Sequence, residues 1–181
     1  YAHTPDALKN SINSLENHYK KKITVLFGCG GERDRKKRKL MGKVADTYSD
    51  KVYITDDNPR NERPSKIRNE IINGIKRKKF IEIGNRKLAI STALNKSNPN
   101  EIILIAGKGH ETYQDYGNKV FNISDSEIIK KTFVTKKILR ENLIINSNKY
   151  VLEKIMNKKY SKGFNQVTIN SKNVRKKDLF I

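Results

Sequence analysis

The sequence predicts an α/β fold, a Rossmann-like and mostly parallel sheet flanked by helices. Three observations predict it. Short apolar runs alternate with amphipathic stretches of roughly ten residues or more, the pattern of βαβ units. The runs are apolar at nearly every position, as in strands covered on both faces of a parallel sheet. Three of them end in polar, glycine-rich sequences, and open α/β sheets place their ligands beyond the carboxyl ends of the strands.

Residues 4–19 read as a helix: Thr4 can cap it, Pro5 suits the first helical position, and Ala7, Leu8, Ile12 and Leu15 form an apolar stripe. Residues 22–29, KITVLFGC, read as a strand running into Gly28, Gly30 and Gly31. The basic stretch that follows is helical from about Lys37, and 51–56 form the next strand. Residues 65–76 make an amphipathic helix with Ile67, Ile71, Ile72 and Ile75 on one face. A short strand at 79–83, a helix at 86–96 and the most apolar strand, EIILIA at 101–106, come next. Residues 119–123 are expected as a last strand and 126–139 as a closing helix. Beyond Phe133 the texture changes to polar sequence with scattered Ile and Leu, and 150–159 can form a short amphipathic helix. The final stretch, FNQVTINSKNVRKKDLFI, has β character and stops in mid-strand, and the first residue is Tyr rather than Met. The chain is therefore expected to be a piece of a longer protein.

Composition narrows the function classes. With 181 residues there is room for one ordinary domain and something smaller. No run approaches the ~20 apolar residues that span a bilayer, so no membrane insertion is expected. The single Cys29 excludes an internal disulfide and fits a reducing cytoplasm. A net charge of +20 raises a nucleic-acid reading. Against it, Lys, Asn and Ile are used heavily throughout, and no aromatics interleave with the basic residues as stacking platforms would. No specific nucleic acid is expected.

The three strand-end loops are GCGGERD, DDNPR and GKGHE. None is a standard nucleotide loop: GCGG is not GxGxxG, and no Walker sequence is present. Each alone could be a turn, since Asn before Pro and glycine after a strand are common turn chemistry. Brought to one rim, they offer Arg33, Arg60 and Lys108 as cations, Asn58 and His110 as hydrogen-bonding groups, and Asp57 and Glu111 as anions. Arginine grips carboxylates with two parallel hydrogen bonds. Two arginines beside a carboxylate point to a zwitterionic, amino-acid-like ligand.

The segments YAHTPDAL, FGCGGERDRKKR, LMG, TDDNPR and IAGKGHETYQ, in this order and spacing, resemble the C-terminal domain of the Mur ligases. The resemblance is to the type (MurE) that adds the third peptide residue to UDP-N-acetylmuramoyl-L-alanyl-D-glutamate, and it covers about residues 1–133. It implies a Rossmann-like domain of an ATP-dependent ligase of peptidoglycan biosynthesis, in the cytoplasm. In that family ATP, with Mg2+, phosphorylates the D-glutamate side-chain carboxylate, and the amine of the incoming amino acid attacks the acyl phosphate. The C-terminal domain receives that amino acid and closes on a central ATPase domain.

Carried over residue by residue, the resemblance implies that Arg33, Asn58, Arg60, Gly107 and Glu111 bind the amino acid. DNPR is similar to the signature of members that use meso-diaminopimelate. That substrate carries a second carboxylate at its far end, where lysine ends in an ammonium only. An arginine there would pair with the carboxylate and repel a lysine. Glu111 would accept from the distal ammonium. Tyr1 and His3 fall in a segment similar to the family's interdomain hinge near the adenine. Glu32 and Asp34 lie where the family brings an acid near the ribose, and either can fill that role. Lys36 and Lys39 stand where Gly and Pro are more usual, and Glu32 where Asp is commoner. No catalytic residue or metal ligand is assigned to these residues. The family's P-loop and UDP-sugar domain would act in cis from elsewhere, with the UDP-MurNAc-dipeptide as second substrate, so this piece alone is expected not to ligate.

The stretch VTINSKNVRKKDLFI, residues 167–181, resembles the opening of a Mur ligase N-terminal domain, with Asn170, Lys172 and Lys177 in place of the usual Asp, Arg and Gly. The expected organisation is a ligase domain at 1–133, a linker at 134–142, and from 143 the start of a second ligase of the D-alanyl-D-alanine-adding type (MurF). Two alternatives stand beside this: a basic nucleic-acid-binding α/β domain, and a related ligase of the folylpolyglutamate-synthetase type.

Overall fold

The computed structural model describes residues 2–77, 80–98 and 100–136, with short strands at 143–145, 167–168 and 179–180. Its centre is a five-stranded, wholly parallel sheet. The strands are β1 (Lys22–Phe27), β2 (Lys51–Ile54), β3 (Phe80–Glu82), β4 (Glu101–Ile105) and, after the β5–β6 hairpin (Tyr113–Asp115 and Val120–Asn122), β7 (Leu143–Ile145). Their order is β3-β2-β1-β4-β7. The chain works outward from β1 to β3, then crosses back to place β4 on the other side of β1. That reversal opens a crevice beyond the carboxyl ends of β1 and β4, where folds of this class bind ligands.

The continuous apolar strands follow from two cores, one on each face. Ile23, Val25, Phe27, Val52, Ile54, Ile102 and Leu104 pack against α1 (Pro5–Tyr19), α2 (Lys36–Tyr48) and α3 (Pro64–Ile72). The alternate positions Leu26, Tyr53, Ile103 and Ile105 pack against α4 (Arg86–Lys96) and α5 (Asp125–Lys136). Period-two alternation is present but apolar residues fill both phases. The buried polar residue of β1, Thr24, donates its hydroxyl to Glu101 at the start of β4.

Helix starts follow the cap chemistry. Thr4 accepts from the Ala7 N–H at 3.2 Å with Pro5 behind it, and Asn85 accepts from the Leu88 N–H at 2.9 Å. α3 stops at Ile72, short of the predicted 76. Asp46 on α2 captures the chain there, accepting from the Lys76 N–H at 3.0 Å and from the Arg77 guanidinium at 3.0 Å.

Two differences from the sequence reading concern the end of the domain. The stretch at 119–123 does not extend the main sheet. Val120–Asn122 forms an antiparallel hairpin with Tyr113–Asp115, closed by the Tyr116 N–H donating to the Lys119 carbonyl at 2.8 Å. Gly117, at φ +76°, supplies the left-handed turn residue. Separately, Leu143–Ile145, assigned from sequence to the start of a second module, pairs in parallel with β4. Val167–Thr168 and Leu179–Phe180 pair in parallel with each other. The expected linker beyond residue 136, the helix at 150–159 and most of the following stretch lie outside the described residues. No described helix is long and apolar enough to cross a membrane.

Candidate functional site

The loops after β1, β2 and β4 meet because backbone bonds tie their first residues. The Thr55 N–H donates to the Phe27 carbonyl at 3.0 Å, and the Ala106 N–H to Leu26 at 2.8 Å, so the three strands end level. Gly31 then approaches the second loop closely, its N–H donating to the Asn58 carbonyl at 2.8 Å. A Cβ at Gly31 would overlap the Pro59 carbonyl, so only glycine permits the contact. In the third loop, Gly107 takes φ +107°, and a Cβ there would lie 2.7 Å from Asp57 Oδ2.

Asn58 sits at the centre and is 5% exposed. Its Oδ1 accepts from Lys108 Nζ at 2.8 Å and from the Asp115 N–H at 3.0 Å. Its Nδ2 donates to Glu111 Oε2 at 2.9 Å. Lys108 also donates to Glu111 Oε2 at 3.2 Å and to the Tyr113 carbonyl. The hairpin serves the site here, because Gln114 donates to the Asp57 carbonyl at 2.7 Å and the Asp115 carbonyl accepts from the Arg60 N–H at 2.9 Å.

Arg60 stands at φ +52°, an uncommon conformation for a residue with a side chain. Its Nη1 donates to the Gly31 carbonyl at 2.7 Å. Arg33 is exposed. Both arginines lie over Gly30: its missing Cβ would be 3.1 Å from Arg60 Nη1 and 3.6 Å from Arg33 Cγ. The loop contacts thus bring Arg33, Asn58, Arg60, Gly107 and Glu111 into one neighbourhood. His3 borders it. Burial lowers the His3 pKa, opposed by the fields of Asp57 and Glu111.

The nucleotide-side residues are arranged differently. Glu32, at φ +54°, accepts from Asn61 Nδ2 at 2.8 Å, and Asp34 accepts from the Lys36 N–H at 2.9 Å at the start of α2. His110 is exposed, and Tyr1 lies outside the described residues.

Sequence reasoning missed the support behind the loops. Arg38 is fully buried, grips Glu62 through two bonds of 2.8 Å, and donates to Glu70 at 2.7 Å and to the Gly30 carbonyl at 3.0 Å. This hydrogen bond from Arg38 holds the Glu62 carboxyl down to about 2. Glu62 in turn accepts from the Glu32 N–H at 2.5 Å, so one arginine clamps the first loop to the second. Below the site, Arg86 pairs with Asp125 at 2.6 Å and donates to the Ala106 carbonyl at 3.1 Å. Asp56 binds Arg68 and accepts from the Tyr116 hydroxyl at 2.9 Å.

Comparison with known proteins bears on this geometry. Residues 1–109 match the family model described as "Mur ligase, glutamate ligase domain". The chain is 52% identical to the UDP-N-acetylmuramoyl-L-alanyl-D-glutamate--2,6-diaminopimelate ligase of Buchnera aphidicola subsp. Schizaphis graminum, covering 75% of this chain and 28% of that protein. It is 49% identical to the ligase of the same name from Rickettsia bellii, covering 74% of this chain and 29% of the relative. A solved structure of a ligase of that name superposes with a TM-score of 0.72 at 35% identity, over 77% of this chain and 29% of the other. The chain therefore spans under a third of the length of these relatives.

Proposed function

The chain belongs to the Mur ligase family, and from that premise we propose that it is the amino-acid-recognising domain of an ATP-dependent ligase. On this reading the enzyme adds meso-diaminopimelate to UDP-MurNAc-L-Ala-D-Glu in peptidoglycan biosynthesis. The observation that carries it is the pairing of opposite charges across one small site. Arg60, its Nη1 anchored on Gly31, stands beside Asn58, whose amide holds Glu111. Diaminopimelate needs both halves: a cation for its distal carboxylate and an acceptor for its distal ammonium. Arg60 Nη1 donates to the Gly31 carbonyl at 2.7 Å and to the Asn58 carbonyl at 3.5 Å, and a guanidinium has five N–H donors. The remaining donors suit a two-point grip on a carboxylate, with the exposed Arg33 beside them. The names of the relatives, which specify 2,6-diaminopimelate, support the same substrate.

ATP, with Mg2+, supplies the activation of the acceptor carboxylate. Among the described residues no three His, Cys, Asp or Glu side chains converge as metal ligands would. The ATPase and UDP-sugar parts of the ligase act in cis. The motif at 167–181 supports a fused chain in which a second ligase module follows, and its two short strands pair with each other. A P-loop in the reading frame after Ile181 tests that fusion.

The test of the function is ligation by the ligase that carries this domain, measured against meso-diaminopimelate and L-lysine at fixed ATP and UDP-precursor. Strong preference for diaminopimelate is expected. Equal use of lysine would remove the reading.

A further inference from the structure

We propose that Lys108 is a positioning residue of this site: a buried ammonium that fixes the Asn58 amide and makes Glu111 present one oxygen, Oε1, to the ammonium of a bound diamino acid. The inference rests on the substrate class proposed above. Lys108 has no exposed side-chain surface. An ammonium carries three N–H donors, and a buried one is costly unless each is used. Here the acceptors are the Tyr113 carbonyl at 2.5 Å, Asn58 Oδ1 at 2.8 Å and Glu111 Oε2 at 3.2 Å. Asp57 Oδ1 adds a second anion at 3.7 Å. No donor is left over for a ligand and no surface is open to one, so Lys108 acts through its neighbours.

Its first effect is on Asn58. The amide oxygen is occupied by two donors, Lys108 Nζ and the Asp115 N–H, which turns the NH2 group toward Glu111. Its second effect is on Glu111. Both bonds to that carboxylate, from Asn58 and from Lys108, land on Oε2. Oε1 takes neither bond, and the side chain is 25% exposed. Its third effect is on charge. One ammonium faces two carboxylates, Asp57 and Glu111, an excess of acceptor oxygens that suits a ligand ammonium.

The experiment uses the ligase that carries this domain. Lys108→Met should raise KM for meso-diaminopimelate roughly tenfold to a hundredfold, the size of one charge-assisted hydrogen bond. KM for ATP should stay within about twofold, and kcat at saturating amino acid should be largely kept, the split expected for lost orientation of a binding group. Glu111→Gln and the double variant complete a cycle. If Lys108 acts through Glu111, adding Lys108→Met to Glu111→Gln should change KM little; additive effects would overturn the proposal. Should Lys108→Met not fold, the wild-type protein decides. The NH3+ resonance of Lys108 and the side-chain amide of Asn58 should shift on adding meso-diaminopimelate and not on adding ATP, and unmoved resonances overturn the assignment. The two layers fail separately. A ligase that does not use diaminopimelate removes the functional reading itself. One that uses it, with an unchanged KM in Lys108→Met, removes only the role of Lys108.

Discussion

The Asn58 side-chain amide donates to Glu111 Oε2 at 2.9 Å, joining residues 53 positions apart. The same amide accepts from Lys108 and from the Asp115 backbone, so one small side chain links three segments. Asn58→Leu keeps the branched shape and removes every one of these bonds. It leaves a buried ammonium short of an acceptor and a backbone N–H without a partner. The expected cost is roughly 2–3 kcal/mol of stability, the penalty of unsatisfied buried groups. Urea unfolding monitored by circular dichroism measures it, and an unchanged midpoint would show the network to be dispensable.

Arg60→Ala tests the cationic side. The left-handed backbone remains, held by the Arg60 N–H on the Asp115 carbonyl, so the loop should keep its course. What is lost is the guanidinium that, on the proposed function, pairs with the distal carboxylate. Truncating one partner of such a pair costs roughly 2–5 kcal/mol, or about thirty-fold to several-thousand-fold in kcat/KM for meso-diaminopimelate. L-Lysine should not become a good substrate, because removing repulsion builds no ammonium site. Ligation rates at fixed ATP check this, and wild-type selectivity in the variant would make Arg60 a turn residue.

How far the molecule was legible depends on the length of each signal. Strands β1, β2 and β4 showed in the sequence because burial on both faces demands unbroken runs such as ITVLF and EIILI. The three polar strand ends showed because they interrupt those runs. Of the hairpin, the second strand was expected at 119–123, but its first strand and their antiparallel pairing were not, since a strand of three residues is too short to display alternation. Arg38 was invisible for another reason. It is one of many basic residues in RDRKKRK, and nothing local separates a buried arginine from exposed neighbours. Its partners Glu62 and Glu70 lie on another loop and another helix. Likewise Glu32 and Asp34 could not be told apart, because what distinguishes them is a tertiary bond to Asn61 and a local bond to Lys36.

The Arg38–Glu62 clamp predicts an acid limb of stability. Glu62 is held down to about 2 by its hydrogen bond to Arg38, against an ordinary value of 4.5. The folded pKa lies below the unfolded one, so the folded state binds fewer protons at this carboxyl. The contribution is complete above about pH 4.5 and is lost as pH falls toward 2. Glu62 is partly open to solvent, which limits the contribution to the order of 1–2 kcal/mol. Glu62→Gln should flatten the fall in stability over this window, while the difference from wild type at pH 7 should be at its largest. Denaturant titrations at a series of pH values decide it. A parallel offset at every pH would mean that Glu62 acts by packing and not by charge.

Cys29 gives a prediction about reactivity. It lies in the first loop beside Met41, its Sγ 3.8 Å from the Met41 sulfur, and is 5% exposed. Burial, reinforced by the negative field of Asp57, pushes the thiol up to about 12. The attacking species is the thiolate, which is scarce at neutral pH for such a group and sterically covered as well. Maleimide or iodoacetamide at pH 7.5 should therefore leave the native protein unlabelled, and labelling should follow the urea unfolding curve. The sign at high pH runs against stability: the unfolded thiol ionises above about 9 and the folded one near 12, so unfolding gains between those values. Intact-mass spectrometry after timed labelling measures both effects. Rapid single-site modification of the folded chain would show that the first loop opens, and that Gly28 to Gly31 do not hold the register on which the site geometry depends.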